Sequence, residues 1–182
     1  MIRRLSRACT VLAAGLVMSI GLPAIAGEPV TGLGDTLQLL IPASGYVATW
    51  FLDDEEGRDQ FCRSYGTSFA ITHILKLTVN ERRPNGNNTA SFPSGHTSSA
   101  FQGASFIQQR YGWSYGLPAY LGAAYTGWSR VELGAHYSHD VFAGAAVGIL
   151  SSYMFTTPYG ENSGMGLFYE EGTIGFQMNW KW

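Results

Sequence analysis

The chain has 182 residues, which suits one domain and is short for two. Only 13% of its residues are charged and the formal net charge is −2, so it offers no basic surface for a nucleic acid. Apolar residues make up 46% of the chain, and its 23 glycines suit closely packed helices in a protein core or in a membrane. The composition therefore favours a helical protein without a nucleic-acid partner.

The first 26 residues have the pattern of a secretory signal peptide. Three arginines precede the apolar run ACTVLAAGLVMSIGL, and the small-residue sequence AIA ends at Ala26. This run is short for a membrane span, which favours cleavage after Ala26 over an uncleaved membrane anchor. We therefore predict an exported protein on the periplasmic side of a bacterial membrane.

Apolar stretches separated by polar or glycine-rich breaks predict a series of helices after the signal peptide. Ser94 is a suitable N-cap for one of them. The segments NERRPNGNNTASFP and YGWSYGLP read as loops, because they are rich in Asn, Gly and Pro. Short connections should make neighbouring helices antiparallel. The apolar stretches cover residues 36–52, 61–79, 94–110, 117–130 and 137–155.

The C-terminal tail has a different pattern. In GLFYEEGTIGFQMNWKW, apolar residues alternate with other residues from Ile174 to Trp182, which is the period of a strand, and Glu-Gly stands at the expected turn. We predict a short amphipathic β-hairpin that covers the helices. The predicted organisation is a signal peptide (1–26), an all-α antiparallel helical bundle (27–158) and a C-terminal hairpin (159–182).

Polar residues that could carry chemistry are concentrated near two of the predicted loops. One loop ends with the sequence PSGH, and the other contains SRVELGAHYSHD. Because alternating helices bring these two loops to the same end of the bundle, we expect their side chains to converge. The expected cluster consists of Lys76, Arg83, Ser94, Gly95, His96, Arg130, His136 and Asp140.

This set of side chains suits a bound oxyanion. The lysine and the two arginines would neutralise a phosphate, and the planar fork of arginine matches its oxygens in pairs. The backbone N–H groups of Ser94 and Gly95 lie at a helix start, where the helix dipole favours an anion. Asp140 follows His136 by one helical turn and would orient that imidazole. His96 would then remain to protonate a leaving group.

Three segments resemble the motifs of the type 2 phosphatidic acid phosphatase superfamily, which includes class A acid phosphatases and vanadium haloperoxidases. They are KLTVNERRP, PSGH and SRVELGAHYSHD, in the order of that family, and the resemblance covers roughly residues 33–156. It implies that His136 is the nucleophile, Asp140 its partner and His96 the general acid, with no metal or other cofactor. The implied phosphate-binding residues are Lys76, Arg83, Ser94, Gly95 and Arg130.

The sequence thus predicts a metal-independent phosphatase that hydrolyses a phosphomonoester or a pyrophosphate through a phosphohistidine. Uncharged helices with small-residue stretches favour membrane association and a lipid phosphate as substrate. The main alternative is a soluble, non-specific periplasmic acid phosphatase. A vanadate-dependent haloperoxidase and a non-catalytic phospholipid-binding protein are further alternatives. The aromatic tail would dock the protein at the membrane or pair with another copy of the chain.

Overall fold

The computed structural model describes residues 29–160, 164–170 and 173–179, so the predicted signal peptide lies outside the described residues. The bundle expected from the sequence is confirmed as a set of consecutive helices. Within the described residues these are α1 (Pro29–Phe51), α2 (Glu55–Val79), α3 (Gly95–Tyr111), α4 (Trp113–Glu132) and α5 (Ser138–Tyr153).

The start of α4 differs from the sequence prediction, because residues 113–116 are helical and were expected to form a loop. Gly112, with a φ of 90°, makes the turn between α3 and α4 within a single residue. Gly116 then packs directly on α3, where an added methyl group would lie 2.3 Å from the Cβ of Gln108. Packing between the helices therefore overrides the weak helix propensity of glycine.

Helix α3 is the centre of the bundle, since each of the other four helices packs against it. Helix α5 approaches α3 most closely through two glycines. A methyl group at Gly144 would lie 2.5 Å from the Ser94 carbonyl oxygen, and one at Gly148 would lie 2.4 Å from that of Ser98. This contact holds the starts of α3 and α5 side by side. The apolar core consists of Ile41, Phe61, Ala100, Ala104, Phe106, Ile107 and Ala123.

A buried ion pair holds the opposite end of the bundle together. Arg110, near the end of α3, donates to Asp54 through Nε at 2.7 Å and through Nη2 at 2.5 Å. Both side chains are almost completely buried. The Nη1 of Arg110 also donates to the carbonyl oxygens of Thr157 and Pro158, at 2.8 and 3.2 Å. Arg110 therefore connects the segment that follows α5 to Asp54, which is the N-cap residue of α2.

Two strands follow the bundle, β1 (Gly164–Glu170) and β2 (Thr173–Asn179), and they run antiparallel with Glu170 opposite Thr173. Their positions coincide with the segments expected to form a hairpin, while the residues of the turn lie outside the described part of the chain. The helical bundle is the confirmed part of the predicted fold. That the hairpin covers the helices remains a prediction.

Large apolar side chains are exposed on all four helices that surround α3. They include Leu40 on α1, Leu77 on α2, Leu121 on α4 and Phe142 on α5. Exposed apolar residues that join into a contiguous patch mark places where a protein contacts a membrane or another protein. Among the residues that the structure describes, no helix combines the length and the apolarity needed to cross a bilayer.

Candidate active site

The starts of α3 and α5 meet at one end of the bundle and bring the two polar motifs together. Ser94 is the N-cap of α3, as predicted, and its hydroxyl oxygen accepts a hydrogen bond from the N–H of Thr97 at 3.4 Å. Its backbone N–H donates to the carbonyl oxygen of Asp140 at 3.0 Å. The expectation that this N–H is free for an anion was therefore wrong. The Ser94 hydroxyl hydrogen remains available, because the oxygen accepts from Thr97.

His136 lies immediately before α5 and is buried next to Asp140. The Nδ1 of His136 is 3.4 Å from the Oδ2 of Asp140. The same oxygen accepts hydrogen bonds from the Ser91 hydroxyl at 2.5 Å and from the Tyr137 N–H at 2.9 Å. Ser91 was not predicted from the sequence, because it is one of many polar residues in its loop. A carboxylate held in this way favours the tautomer with the proton on Nδ1, which leaves Nε2 unprotonated.

Two cations lie beside this pair. The Nζ of Lys76 donates to the backbone carbonyl oxygens of Pro93, Ala90 and Ser91, at 2.6, 3.0 and 3.3 Å. Burial, together with the nearby charge of Arg83, lowers the pKa of Lys76 to about 8. The Nε of Arg83 is buried and has no hydrogen-bond partner among the described residues. An unpaired guanidinium donor of this kind suits an oxygen of a bound anion.

The electrostatic surroundings keep His136 neutral. Burial lowers the pKa of His136, and the charges of Arg83 and Lys76 lower it further, while Asp140 acts in the opposite direction. At neutral pH the imidazole therefore carries no charge and has a lone pair available for attack. The positive charge of the site resides on the lysine and the arginine, where it can attract an anion.

A second group of side chains joins His96 to Arg130 through Asp35 of α1. The Oδ1 of Asp35 lies 3.3 Å from the Nε2 of His96 and 2.7 Å from the Nη1 of Arg130. The hydrogen bond with His96 contributes most to lowering the pKa of Asp35, so this carboxylate is ionised. Asp35 was not predicted from the sequence. Its one signal was that it is the single charged residue of α1.

Gly95 is the first residue of α3 and lies next to Lys76. A methyl group at Gly95 would lie 3.7 Å from the Cε of Lys76, which is an ordinary contact distance. The protein's own packing therefore leaves free space at this helix start, where N–H groups favour an anion. The structure places every predicted site residue at this end of the bundle, and their roles remain predictions. They are Lys76, Arg83, Ser94, Gly95, His96, Arg130, His136 and Asp140.

Comparison with known proteins identifies relatives that share this region. The lipid A 1-phosphatase of Porphyromonas gingivalis is 38% identical over 99 residues, and the lipid A 4'-phosphatase of Helicobacter pylori is 38% identical over 78 residues. These alignments cover 48% and 43% of this chain but 22% and 39% of the two relatives. The chain thus matches well under half the length of these curated relatives.

Two solved structures share the fold. The crystal structure of Aquifex aeolicus LpxE superposes with a TM-score of 0.60 at 22% identity, over 71% of this chain and 87% of that chain. The first transmembrane PAP2 type phosphatidylglycerolphosphate phosphatase from Bacillus subtilis superposes with a TM-score of 0.56 at 21% identity, over 82% and 93% of the two chains. The PAP2 superfamily model matches residues 60–163, more than half of the chain and all three motifs. The protein therefore belongs to the PAP2 superfamily, as the motifs predicted.

Proposed function

We propose that the protein is a metal-independent phosphatase that removes phosphate from a lipid through a phosphohistidine on His136. The observation that carries this proposal is the buried contact between His136 and Asp140, next to the unpaired Nε of Arg83. Two relatives named lipid A phosphatases support a lipid phosphate as the substrate. A protein that only bound phospholipids would have no need for a buried, neutral histidine held by a carboxylate.

The reaction begins when Nε2 of His136 attacks phosphorus in line with the leaving group, while Asp140 holds the proton on Nδ1. The bond between phosphorus and the lipid oxygen breaks, and His96 gives its proton to that oxygen. His96 then takes a proton from a water molecule, which attacks the phosphohistidine. Phosphate leaves, His136 is regenerated, and one water has been consumed. Asp35 lies 3.3 Å from the Nε2 of His96, so Nδ1 is the nitrogen left to exchange this proton.

Charge stabilisation is the task of the remaining residues. In the transition state, negative charge spreads over the three equatorial oxygens of the transferred group. Lys76, Arg83 and Arg130 would neutralise it, with the N–H of Gly95 and the hydroxyl of Ser94 as further donors. Because these donors are fixed before the substrate arrives, they need no reorganisation during the reaction. This arrangement supplies the electrostatic help that a metal ion gives in other phosphatases.

The purified protein should release phosphate from lipid phosphates in the presence of excess EDTA. A suitable panel contains lipid A, phosphatidate, a polyprenyl pyrophosphate and p-nitrophenyl phosphate, with free phosphate as the readout. We expect the best lipid to exceed the soluble ester by about tenfold or more in kcat/KM. Loss of activity on chelation that a metal restores would contradict the mechanism. Preference for the soluble ester would favour the acid phosphatase.

Vanadate gives a control for the reaction class in the same assay. It adopts the five-coordinate geometry of the transition state, so it should compete with the lipid substrate. Oxidation of bromide by added hydrogen peroxide, catalysed by the protein loaded with vanadate, would instead identify a haloperoxidase. Binding of lipid without phosphate release would identify a binding protein.

We further propose that the protein is associated with a membrane, with its active site on the periplasmic side. The exposed apolar side chains on α1, α2, α4 and α5 support this, because water alone does not favour such a surface. Exposed aromatic residues such as Trp50, Trp113 and Trp128 suit the interface between lipid and water.

Fractionation of cells tests this placement. The protein should sediment with membranes and resist a high-salt wash, because apolar contacts do not weaken with ionic strength. Deletion of residues 159–182 should weaken attachment or stability more than it changes kcat. Release of the protein by osmotic shock would remove the membrane proposal and favour a soluble periplasmic enzyme.

A further inference from the structure

Asp140 has a second polar neighbourhood that the proposed reaction does not use. Its Oδ2 contacts His136, whereas its Oδ1 lies 3.3 Å from the Nε2 of His139. That same nitrogen is 2.8 Å from the Oε1 of Glu81. The ligand atoms of Glu81, His139 and Asp140 all lie within 4.8 Å of one another. An imidazole nitrogen and two carboxylate oxygens are therefore clustered beside the active site.

The surroundings of the Asp140 Oδ1 are a second, independent indication of a ligand. This atom is fully buried and accepts no well-aligned hydrogen bond from the described residues, although the nitrogen of His139 is near. An ionised oxygen that is buried without a donor is costly. Such an atom in a native protein calls for a ligand, for example an ion. The other oxygen of the same carboxylate has three donors around it.

We propose that Glu81, His139 and Asp140 bind a divalent transition-metal ion, with Zn²⁺ the best fit, and that the bound ion inhibits the enzyme. One nitrogen and two carboxylate oxygens form a ligand set that zinc accepts, with water in the fourth position. Bonds of about 2.1 Å in a tetrahedron place ligand atoms about 3.4 Å apart. The separation of 3.3 Å between His139 and Asp140 is close to this value, and the one of 2.8 Å between His139 and Glu81 is shorter, so Glu81 has to move slightly outward to admit the ion.

The site is accessible to an ion from solution and can adjust its geometry. The side chain of His139 is 58% exposed and that of Glu81 is 28% exposed, so both can shift by the small amount required. Asp140, in contrast, is fixed at the start of α5 by its other contacts. The buried carboxylate would thus serve as the rigid ligand, and the two partly exposed residues would close on the ion.

Inhibition follows from the position of Asp140 between the ion and His136. A cation on Oδ1 withdraws negative charge from the carboxylate that holds Nδ1 of the imidazole. The imidazole then becomes a weaker nucleophile, and its orientation is less well fixed. This inhibitory effect rests on the proposed function, whereas the binding of the ion does not.

Thermal unfolding of the protein, freed of metals with EDTA and then dialysed, tests the binding. Micromolar ZnCl₂ should raise the Tm of the wild type by several degrees, because an ion that binds only the folded state stabilises it. The shift should be absent in His139→Ala and strongly reduced in Glu81→Gln. His73→Ala, which removes an exposed histidine from α2, is the matched control and should keep the full shift. A shift that survives in His139→Ala would overturn the site.

Phosphate release under the same conditions tests the inhibition. Zinc should slow the wild type and His73→Ala by about tenfold or more, and His139→Ala by less than about twofold. Equal inhibition of all three proteins would show that zinc acts on the substrate or elsewhere, which would overturn the inhibitory proposal. A zinc-dependent Tm shift that requires His139, in a protein without phosphatase activity, would support the metal site and reject the proposed function.

Discussion

Replacement of His136 by alanine should reduce phosphate release by about 10⁴-fold or more, to the background of the assay. The side chain would supply the atom that attacks phosphorus, and the other histidine near Asp140, His139, is mostly exposed. The fold should survive, because His136 precedes α5 and the one side-chain hydrogen bond that it makes within the described part of the chain is 3.4 Å long. We expect a loss of about 1 kcal/mol in the free energy of unfolding. Phosphate release and a thermal melt measure the two quantities.

Trapping of the intermediate distinguishes the nucleophile from a residue that only supports the site. Wild-type protein denatured at alkaline pH during turnover of a ³²P-labelled substrate should carry a phosphate on His136 that is stable in base and lost in acid. With p-nitrophenyl phosphate, whose leaving group needs no proton, the His96→Ala variant should accumulate this intermediate, because water is no longer activated. In EDTA, His139→Ala should retain activity within about twofold of the wild type. Activity of His136→Ala within about tenfold of the wild type would reject the assignment.

Replacement of Asp54 by asparagine should lower the free energy of unfolding by about 3 kcal/mol, although the residue lies at the end of the bundle opposite the active site. The change leaves the guanidinium of Arg110 buried, with its main charged partner gone. Glu56, 3.5 Å from Arg110, is mostly exposed and can offset a small part of the loss. Denaturation with urea measures the difference, and activity per folded molecule should not change.

A second ion pair on the protein surface gives the matched control. Asp59 and Arg63 are both about half exposed, so Asp59→Asn should cost less than about 1 kcal/mol. The double replacement of Asp54 by asparagine and Arg110 by methionine should be more stable than Asp54→Asn alone, because no unpaired charge is left buried. If Asp54→Asn costs no more than Asp59→Asn, the pair does not hold this end together.

The same ion pair predicts how stability depends on pH. Burial raises the pKa of Asp54, but hydrogen bonds from Arg110 and from the Gly57 N–H outweigh it, so the pKa lies below the ordinary value of 3.8. The stabilisation is complete above the unfolded pKa and is lost as the pH falls through the lower pKa of the folded state. Wild-type protein should therefore lose stability in acid more steeply than Asp54→Asn. Parallel slopes below pH 4 would contradict this linkage.

Much of the site could be predicted because its information is local in the sequence. His136 and Asp140 are one helical turn apart, and PSGH carries its own N-cap at Ser94. The meeting of the two loops required the additional assumption that consecutive helices alternate in direction. That assumption suffices in a bundle with short connections.

The residues that sequence analysis missed act through contacts between distant parts of the chain. Asp35 reaches Arg130 across 95 positions, and Arg110 reaches Asp54 across 56. No helical or strand period connects such pairs, and a single charged residue in an apolar helix looks the same whether it faces solvent or a site. Ser91 was missed for a related reason, since many loop serines have the same local sequence properties and a different environment.

The two glycines on α5 determine how a mutational scan of this protein should be interpreted. Gly144 contacts no substrate in the proposed mechanism, yet any side chain there would push against the carbonyl group of Ser94. Either α5 or the loop before α3 would have to move, and the hydrogen bond between Ser94 and Asp140 would lengthen or break. Enzymes lose large factors in rate when reacting groups shift by about 1 Å. A scan that scores turnover alone would therefore rank Gly144 with the residues that take part in the reaction. Separate measurements of phosphohistidine formation and of folding would be needed to distinguish the two groups.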